Sequence, residues 1–236
     1  MASWLDRTAY SIKTYCPWIY DLMAKGNAAL TVALYTGRIR RALSQATVTG
    51  TVFGAPATIR PLNSGDLDAL DAFVSSTPEE HLRYFHPHRM NRESLQQVLK
   101  SQAILTYGLF IENELAAYLI LKLFATGRAY LGRLVAPSLA GQGIGKWLAK
   151  YLYWQGYNLG FRVCGTMNLQ NLPSKHSHAS IRPFSIVAPL STGYHLVEFH
   201  ILGSDAHPPK LCIERKPRSA ESSAAQCTPP AELQAR

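Results

Sequence analysis

The chain has 236 residues, is 47% hydrophobic and 17% charged, and carries a formal net charge of +9, enough apolar material for one globular domain with a full core and extensions at its ends. The positive balance fits nucleic acid, an anionic membrane surface or a phosphorylated cofactor and does not choose among them. Cys16, Cys164, Cys212 and Cys227 are scattered, without a Cys-x-x-Cys or a His at zinc-ligand spacing, so neither a metal site nor a disulfide framework is expected and a reducing, cytoplasmic setting is.

Residues 1–50 predict a helical extension in two pieces, separated at Cys16-Pro17, where proline disfavours helix in the residue before it, and softened at Gly26-Asn27. Its longest apolar run, Ala28 to Leu34 broken by Thr31, is far below the roughly 18 residues of a membrane span. Trp4, Ile12, Trp18, Ile19, Leu22 and Met23 supply apolar faces and Lys13, Lys25, Arg38, Arg40 and Arg41 supply charge. That mixture suits docking on the domain, on a partner protein or on a second copy, ahead of peripheral contact with a membrane.

Ser44 to Pro56, rich in Thr, Gly and Ala, reads as a linker into a domain spanning 51–217. Ala57 to Leu62 predicts a strand, and Asn63 or Ser64 caps a helix whose apolar residues Leu67, Leu70, Phe73 and Val74 share one face. Thr77-Pro78-Glu79-Glu80 starts a short helix to about Phe85, and Asn91 to Gln102 predicts a third. The period then changes to two. Ile104 to Ile111 and Glu114 to Ala125 are strands joined by a tight turn at Glu112-Asn113, and Arg128 to Val135 is the next. Gly141 to Gly156 predicts a helix, Arg162 to Asn168 a strand, and a polar stretch with a short helix runs through His178. Phe184 to Leu190 and Tyr194 to Leu202 form a closing hairpin about Ser191-Thr192-Gly193, and Lys210 to Lys216 reads as one more strand. Residues 218–236 have no apolar periodicity and predict a disordered tail. The order is that of an α+β fold with a mixed central sheet flanked by helices.

The most informative stretch is Leu134-Val135-Ala136-Pro137 followed by Gly141-Gln142-Gly143-Ile144-Gly145-Lys146. A strand enters a glycine-rich loop that opens a helix, so backbone N–H groups converge with the positive end of a helix dipole behind them, an arrangement that holds phosphate. Lys146 sits where it adds a charge. The loop follows a meander instead of the first strand of a βαβ unit, and Trp147 stands where a nucleotide triphosphatase loop has Ser or Thr.

Over roughly Ala57 to Leu202 the chain resembles the GNAT superfamily of N-acetyltransferases, in element order and in this motif. The family signature, Arg or Gln, two residues, Gly, one residue, then Gly or Ala, aligns with Ala140 to Gly145 and departs at Ala140. The resemblance implies acetyl-CoA as acyl donor, its pyrophosphate on the backbone of Gly141, Gln142, Gly143, Ile144 and Gly145. The pantetheine arm is then expected on the backbone of Leu134 and Val135, whose N–H polarises the thioester carbonyl. A second stretch, Asn171 to His178, matches a family segment with Asn, a small residue three further on (Ser174), and a Tyr seven after the Asn that protonates the departing thiolate. His178 stands in place of that Tyr and is the expected acid. The strand Arg128 to Val135 has no carboxylate for a base, which leaves His86, with His88 beside it, Glu198, or a water chain.

The expected activity is direct transfer of an acetyl group to a primary amine, with a small molecule such as an amino sugar or nucleotide-linked amino sugar as acceptor. The alternatives are acetylation of aminoacyl-tRNA or a protein amine, drawing on the +9 charge, and a module that binds acyl-CoA without turnover. Nucleic acid is thus a secondary expectation as partner.

Overall fold

The computed structural model describes residues 17–190 and 193–215; the expectations for residues 1–16 and for the tail at 218–236 lie outside them. In chain order the elements are α1 (Pro17–Ser44), β1 (Val48–Val52), β2 (Ala55–Pro61), α2 (Leu67–Ser75), α3 (Glu79–Leu82), α4 (Arg92–Lys100), β3 (Ile104–Ile111), β4 (Glu114–Phe124) and β5 (Arg128–Val135). They continue with α5 (Ile144–Leu159), β6 (Arg162–Asn168), α6 (Leu172–Ala179), β7 (Phe184–Pro189), β8 (Tyr194–Phe199) and β9 (Leu211–Ile213). Among the described residues the strands form one mixed sheet in the order β7-β8-β6-β5-β4-β3-β2-β1-β9.

The centre of that sheet is set by local chemistry. Glu112 (φ 51°) and Asn113 (φ 69°) both occupy the left-handed region, the backbone of a two-residue turn whose twist matches its strands. It folds β3 onto β4 from Ile111↔Glu114 back to Ile104↔Lys122, with one register shift at Leu109/Phe110. β4 is covered on both faces, and side-chain alternation divides two cores. Ala117, Leu119, Leu121 and Leu123 face α1 and α5, packing with Ile39, Ala42, Leu148 and Leu152. Tyr118 and Ile120 face α2 and α4, packing with Leu70, Phe73, Leu95 and Val98.

Two sequence expectations change here. α1 is one helix that runs through Gly26-Asn27, because Asn27 points inward and brackets the β4–β5 turn: its Nδ2 donates to Leu123 O at 3.2 Å and its Oδ1 accepts from Ala125 N at 3.1 Å. The helix docks along the sheet beside α5, with Tyr35 edge-on to Phe161 at 4.6 Å between centroids and Tyr151 Oη donating to Ala46 O at 2.7 Å. Leu22, Met23, Leu30 and Leu34 remain on its outer face. The segment read as a linker contains β1, which pairs with β2 about a second left-handed turn at Phe53 (φ 56°) and Gly54 (φ 85°). A boundary between residues 50 and 51 therefore falls inside a strand. On its far side β1 lies parallel to β9, so close that a Cβ on Gly50 would stand 1.9 Å from Leu211 O.

The sheet is discontinuous at one place. β5 and β6 run parallel and pair only at Arg128↔Arg162, Ala129↔Val163 and Tyr130↔Cys164; beyond those positions β6 pairs with β8, and the sheet splays between Leu131–Val135 and Gly165–Asn168.

Asn27→Ala removes both polar links between α1 and the β4–β5 turn and leaves a backbone donor and acceptor to find water, which costs about 1–3 kcal/mol. Urea unfolding is expected to show that loss for the full-length variant. A chain lacking residues 1–44 uncovers the α1 face of the main core and is expected to be recovered chiefly as aggregate, read by the soluble fraction after expression.

Candidate active site in the splayed sheet

The splay opens a cleft of about 1130 Å³ lined by β5, β6, the loop after β5, α6 and the α3 region. Its wall along β5 is a backbone edge. Ala136 N donates to Ala116 O at 2.9 Å, and since hydrogen-bonding direction alternates along an antiparallel strand, Leu134 turns its backbone toward β4 while Arg133 and Val135 turn theirs into the cleft. Sequence reasoning paired Leu134 with Val135 as the pantetheine contacts; the structure offers Val135 and Arg133, and the Leu134 side chain is buried against the α2–α4 core. The Val135 carbonyl accepts from the His81 ring at 2.8 Å, which leaves its N–H as the open group.

The glycine loop follows a 3-10 turn at Pro137–Leu139. Gly141 (φ 76°) and Gly143 (φ 90°) are left-handed, a backbone that other residues adopt only with strain. Gly143 is the N-cap of α5, without a side-chain cap, and the first turn carries no acid. Among the described residues no acceptor takes the N–H groups of Gly143, Ile144 and Gly145, which are the orphan donors of a helix start. Gly141, Gly143, Gly145 and Lys146 line the cleft. Ile144 is fully buried in the main core and contributes only its N–H. The Gln142 side chain does not line the cleft, and its Oε1 is buried without a partner. Asn171 and Ser174 line the opposite wall, where the Asn171 Oδ1 caps α6 by accepting from Ser174 N at 3.2 Å.

The expected acid is placed differently from its expected role. His178 is only 2% exposed, stacked on Phe199 at 4.4 Å between centroids. Arg133 Nη1 donates to its Nε2 at 2.6 Å, so the ring proton resides on Nδ1, which donates to Tyr153 Oη at 2.5 Å. Burial first, and the Arg133 charge second, hold His178 well below the usual histidine range. It is a neutral imidazole with both nitrogens engaged, and it holds no proton for a departing thiolate.

The base candidates also separate. Glu198 does not line the cleft; it faces Arg162 Nη1 at 3.8 Å, a loose ion pair on the neighbouring strand. His88 Nε2 meets Tyr118 Oη at 2.9 Å, and burial, opposed by the Arg89 carbonyl and aided by Lys122, lowers its pKa. His86 lines the cleft at an exposed position. Its Nε2 donates to Arg83 O at 3.2 Å, which leaves the lone pair of Nδ1 free to accept a proton.

Sequence reasoning missed Arg133. Its guanidinium reaches from beneath Gly145, whose added Cβ would lie 3.7 Å from Nε, to His178. Burial pulls its pKa down to about 10. A cation in the middle of a largely apolar strand, directly before Leu134-Val135, was the available signal.

No family model matches the sequence, and no curated protein matches it. Solved structures do. The GNAT domain of S. lividans PAT aligns with a TM-score of 0.58 at 16% identity over 66% of this chain and 97% of that one. The ribosomal-protein-S5-alanine acetyltransferase from Vibrio fischeri gives 0.53 at 14% over 65% and 96%. Mycobacterium smegmatis RimJ, solved with CoA-disulfide, gives 0.51 at 15% over 69% and 90%. The chain has the GNAT fold.

The two depressed imidazoles set a pH dependence of stability. His178 and His88 are lowered in the folded chain, so below the unfolded value near 6.5 the unfolded chain binds more protons and folding weakens as the pH falls, by at most about 1.4 kcal/mol per pH unit for each group. The melting temperature is therefore expected to be flat above pH 7 and to drop between pH 6.5 and 5. His178→Gln, which keeps an acceptor for Arg133, is expected to make that drop shallower.

Proposed function

We propose that this chain, with its GNAT fold, is a cytoplasmic N-acetyltransferase that moves an acetyl group directly from acetyl-CoA to a primary amine. The observation that carries the reading is the row of orphan N–H groups at Gly143, Ile144 and Gly145, aimed into a cleft that the splayed sheet holds open. These donors and Lys146 fit a pyrophosphate, and the open N–H of Val135 fits the donor's amide arm or its thioester carbonyl. When bound, acetyl-CoA supplies the activated acyl group; the chain supplies orientation along β5 and a proton acceptor in Nδ1 of His86.

The acceptor half of the cleft is lined by Tyr84, Phe85, Lys122, Phe124 and Tyr130, and Glu80 at its rim is the only carboxylate lining it among the described residues. A lysine in the lining, with one carboxylate at the rim, favours a neutral or anionic amine, an amino sugar or nucleotide-linked amino sugar, over a polyamine. The net charge of +9 supports a second reading, acetylation of aminoacyl-tRNA or a protein amine. A module that binds acyl-CoA without turnover is supported by the lack of a carboxylate in β5 and by the neutral His178.

Mass spectrometry of a reaction of acetyl-CoA with amino sugars, amino acids, polyamines and tRNA tests these readings: a product 42 Da heavier (one acetyl for one hydrogen) on an amino sugar is expected, CoA binding without any acetylated product would leave the binding module, and acetylated tRNA would select the second reading. Gly145→Asp sets a carboxylate among the N–H donors at a position with ordinary φ, where a buried like charge costs several kcal/mol. Calorimetry is expected to show acetyl-CoA affinity reduced more than tenfold, with Gly145→Ala near the parent.

A further inference from the structure

Arg133 is a cation that the fold holds with no anion of its own. Among the described residues its partner is the neutral imidazole of His178, and no carboxylate forms an ion pair with it. Removing a guanidinium from water is costly unless something negative or strongly polar faces it. One Nη1–H is taken by His178 Nε2, and a guanidinium carries five such donors; none of its nitrogens is sealed without a partner, and the residue lines the cleft. The remaining donors therefore face the space that a ligand enters.

Two features fix which anion suits it. The side chain crosses the splay below Gly145, inward of the N–H donors that fit a pyrophosphate. Its head ends at His178 on the opposite wall, two residues further along β5 than the open N–H of Val135, where an extended arm entering from the glycine loop brings its far end. Resting on the acetyl-CoA reading above, we propose that Arg133 is a catalytic residue whose guanidinium binds the thiolate of CoA as it leaves, and that His178 and Tyr153 are positioning residues that hold it there.

The step balances without another reactant. A bond forms between the amine nitrogen and the acetyl carbon, the bond from that carbon to sulfur breaks, and its electron pair stays on sulfur; the amine's surplus proton passes to His86 or water. Burial lowers the Arg133 pKa to about 10, which leaves the guanidinium charged at neutral pH and lets it act as a fixed positive charge. The titratable groups around it are His178 from α6 and Tyr153 from α5, and Asp205 and Arg182 act on Tyr153 from behind. Burial raises Tyr153 far above neutrality and keeps His178 uncharged, so neither titrates between pH 6.5 and 9.

The test needs no acceptor. The affinities of CoA and desulfo-CoA, which lacks only the thiol sulfur, are measured by calorimetry from pH 6.5 to 9 with the full chain and with Arg133→Met, Arg133→Lys, His178→Gln and His178→Leu. In the parent, the ratio of CoA to desulfo-CoA affinity is expected to rise about five- to tenfold over that range, as it would if the bound thiol's pKa fell by about one unit. Arg133→Met, which removes a buried charge and so tends to preserve folding, should flatten the rise while desulfo-CoA still binds. Arg133→Lys and His178→Gln should retain part of it, and His178→Leu should lose more than His178→Gln. A parent ratio that does not change with pH overturns the thiolate assignment while leaving CoA as the ligand. An Arg133→Met chain that loses affinity for both ligands equally, with the pH-dependent rise intact, moves the guanidinium to the phosphates and overturns it too. Failure of both ligands to bind the parent overturns the acetyl-CoA reading and this inference together.

Discussion

The short parallel contact between β5 and β6 is the constraint from which the rest of the structure follows. Three residue pairs hold the two halves of the sheet together; past them β5 stays bonded to β4 on its other edge and β6 to β8 on its own, while the edges they turned to each other part. Main-chain groups of β5 that would complete a ladder are left facing a gap. A backbone edge with unmet hydrogen bonds is ordinarily a liability in a sheet; here it lies inside a cleft that α6 and the loop before α5 also line. The glycine loop stands at the mouth of the same gap because β5 feeds it directly. The strand edge and the helix start thus line one continuous cleft.

Much of this was legible because local chemistry and tertiary position agreed. β3, β4, β5 and β6 begin and end close to where Glu112-Asn113, Gly127 and Gly160 punctuate alternating apolar runs, since positive φ at those residues is a property of the turn itself. The phosphate-type loop was legible for the same reason. What failed was legible only in three dimensions. α1 is apolar on more than one side, so its periodicity could not show which face docks, and the inward turn of Asn27 depends on the β4–β5 turn nearly a hundred positions later. β1 escaped because five residues with Thr and Gly resemble a linker until β2 and β9 flank them.

The site residues divide along the same line. The backbone shape of the loop at Gly141–Gly145 was legible, because a glycine pattern reports on it. The side-chain candidates were legible in position but not in state. His178 sits at its motif position, yet its protonation depends on Phe199 packing over the ring and on Arg133 pointing at it. Glu198 sits on a strand that borders the cleft, but further along it than Tyr194 and Leu196, and faces Arg162 outside the lining. Arg133 itself was passed over because strands in a buried sheet are read for their apolar members, whereas the exception carried the information.

The pairing of β1 with β9 bears on how the chain assembles as it is made. β1 can turn onto β2 early, through four neighbouring residues, yet its other edge is closed only by Leu211–Ile213, and the contact is so close at Gly50 that no side chain fits there. A nascent chain that has already formed α1, β1 and β2 must therefore carry an open strand edge through the synthesis of the entire sheet. Ribosome-bound intermediates keep that edge open until Leu211–Ile213 has been made, and an open strand edge is a template for wrong pairing with a neighbouring chain.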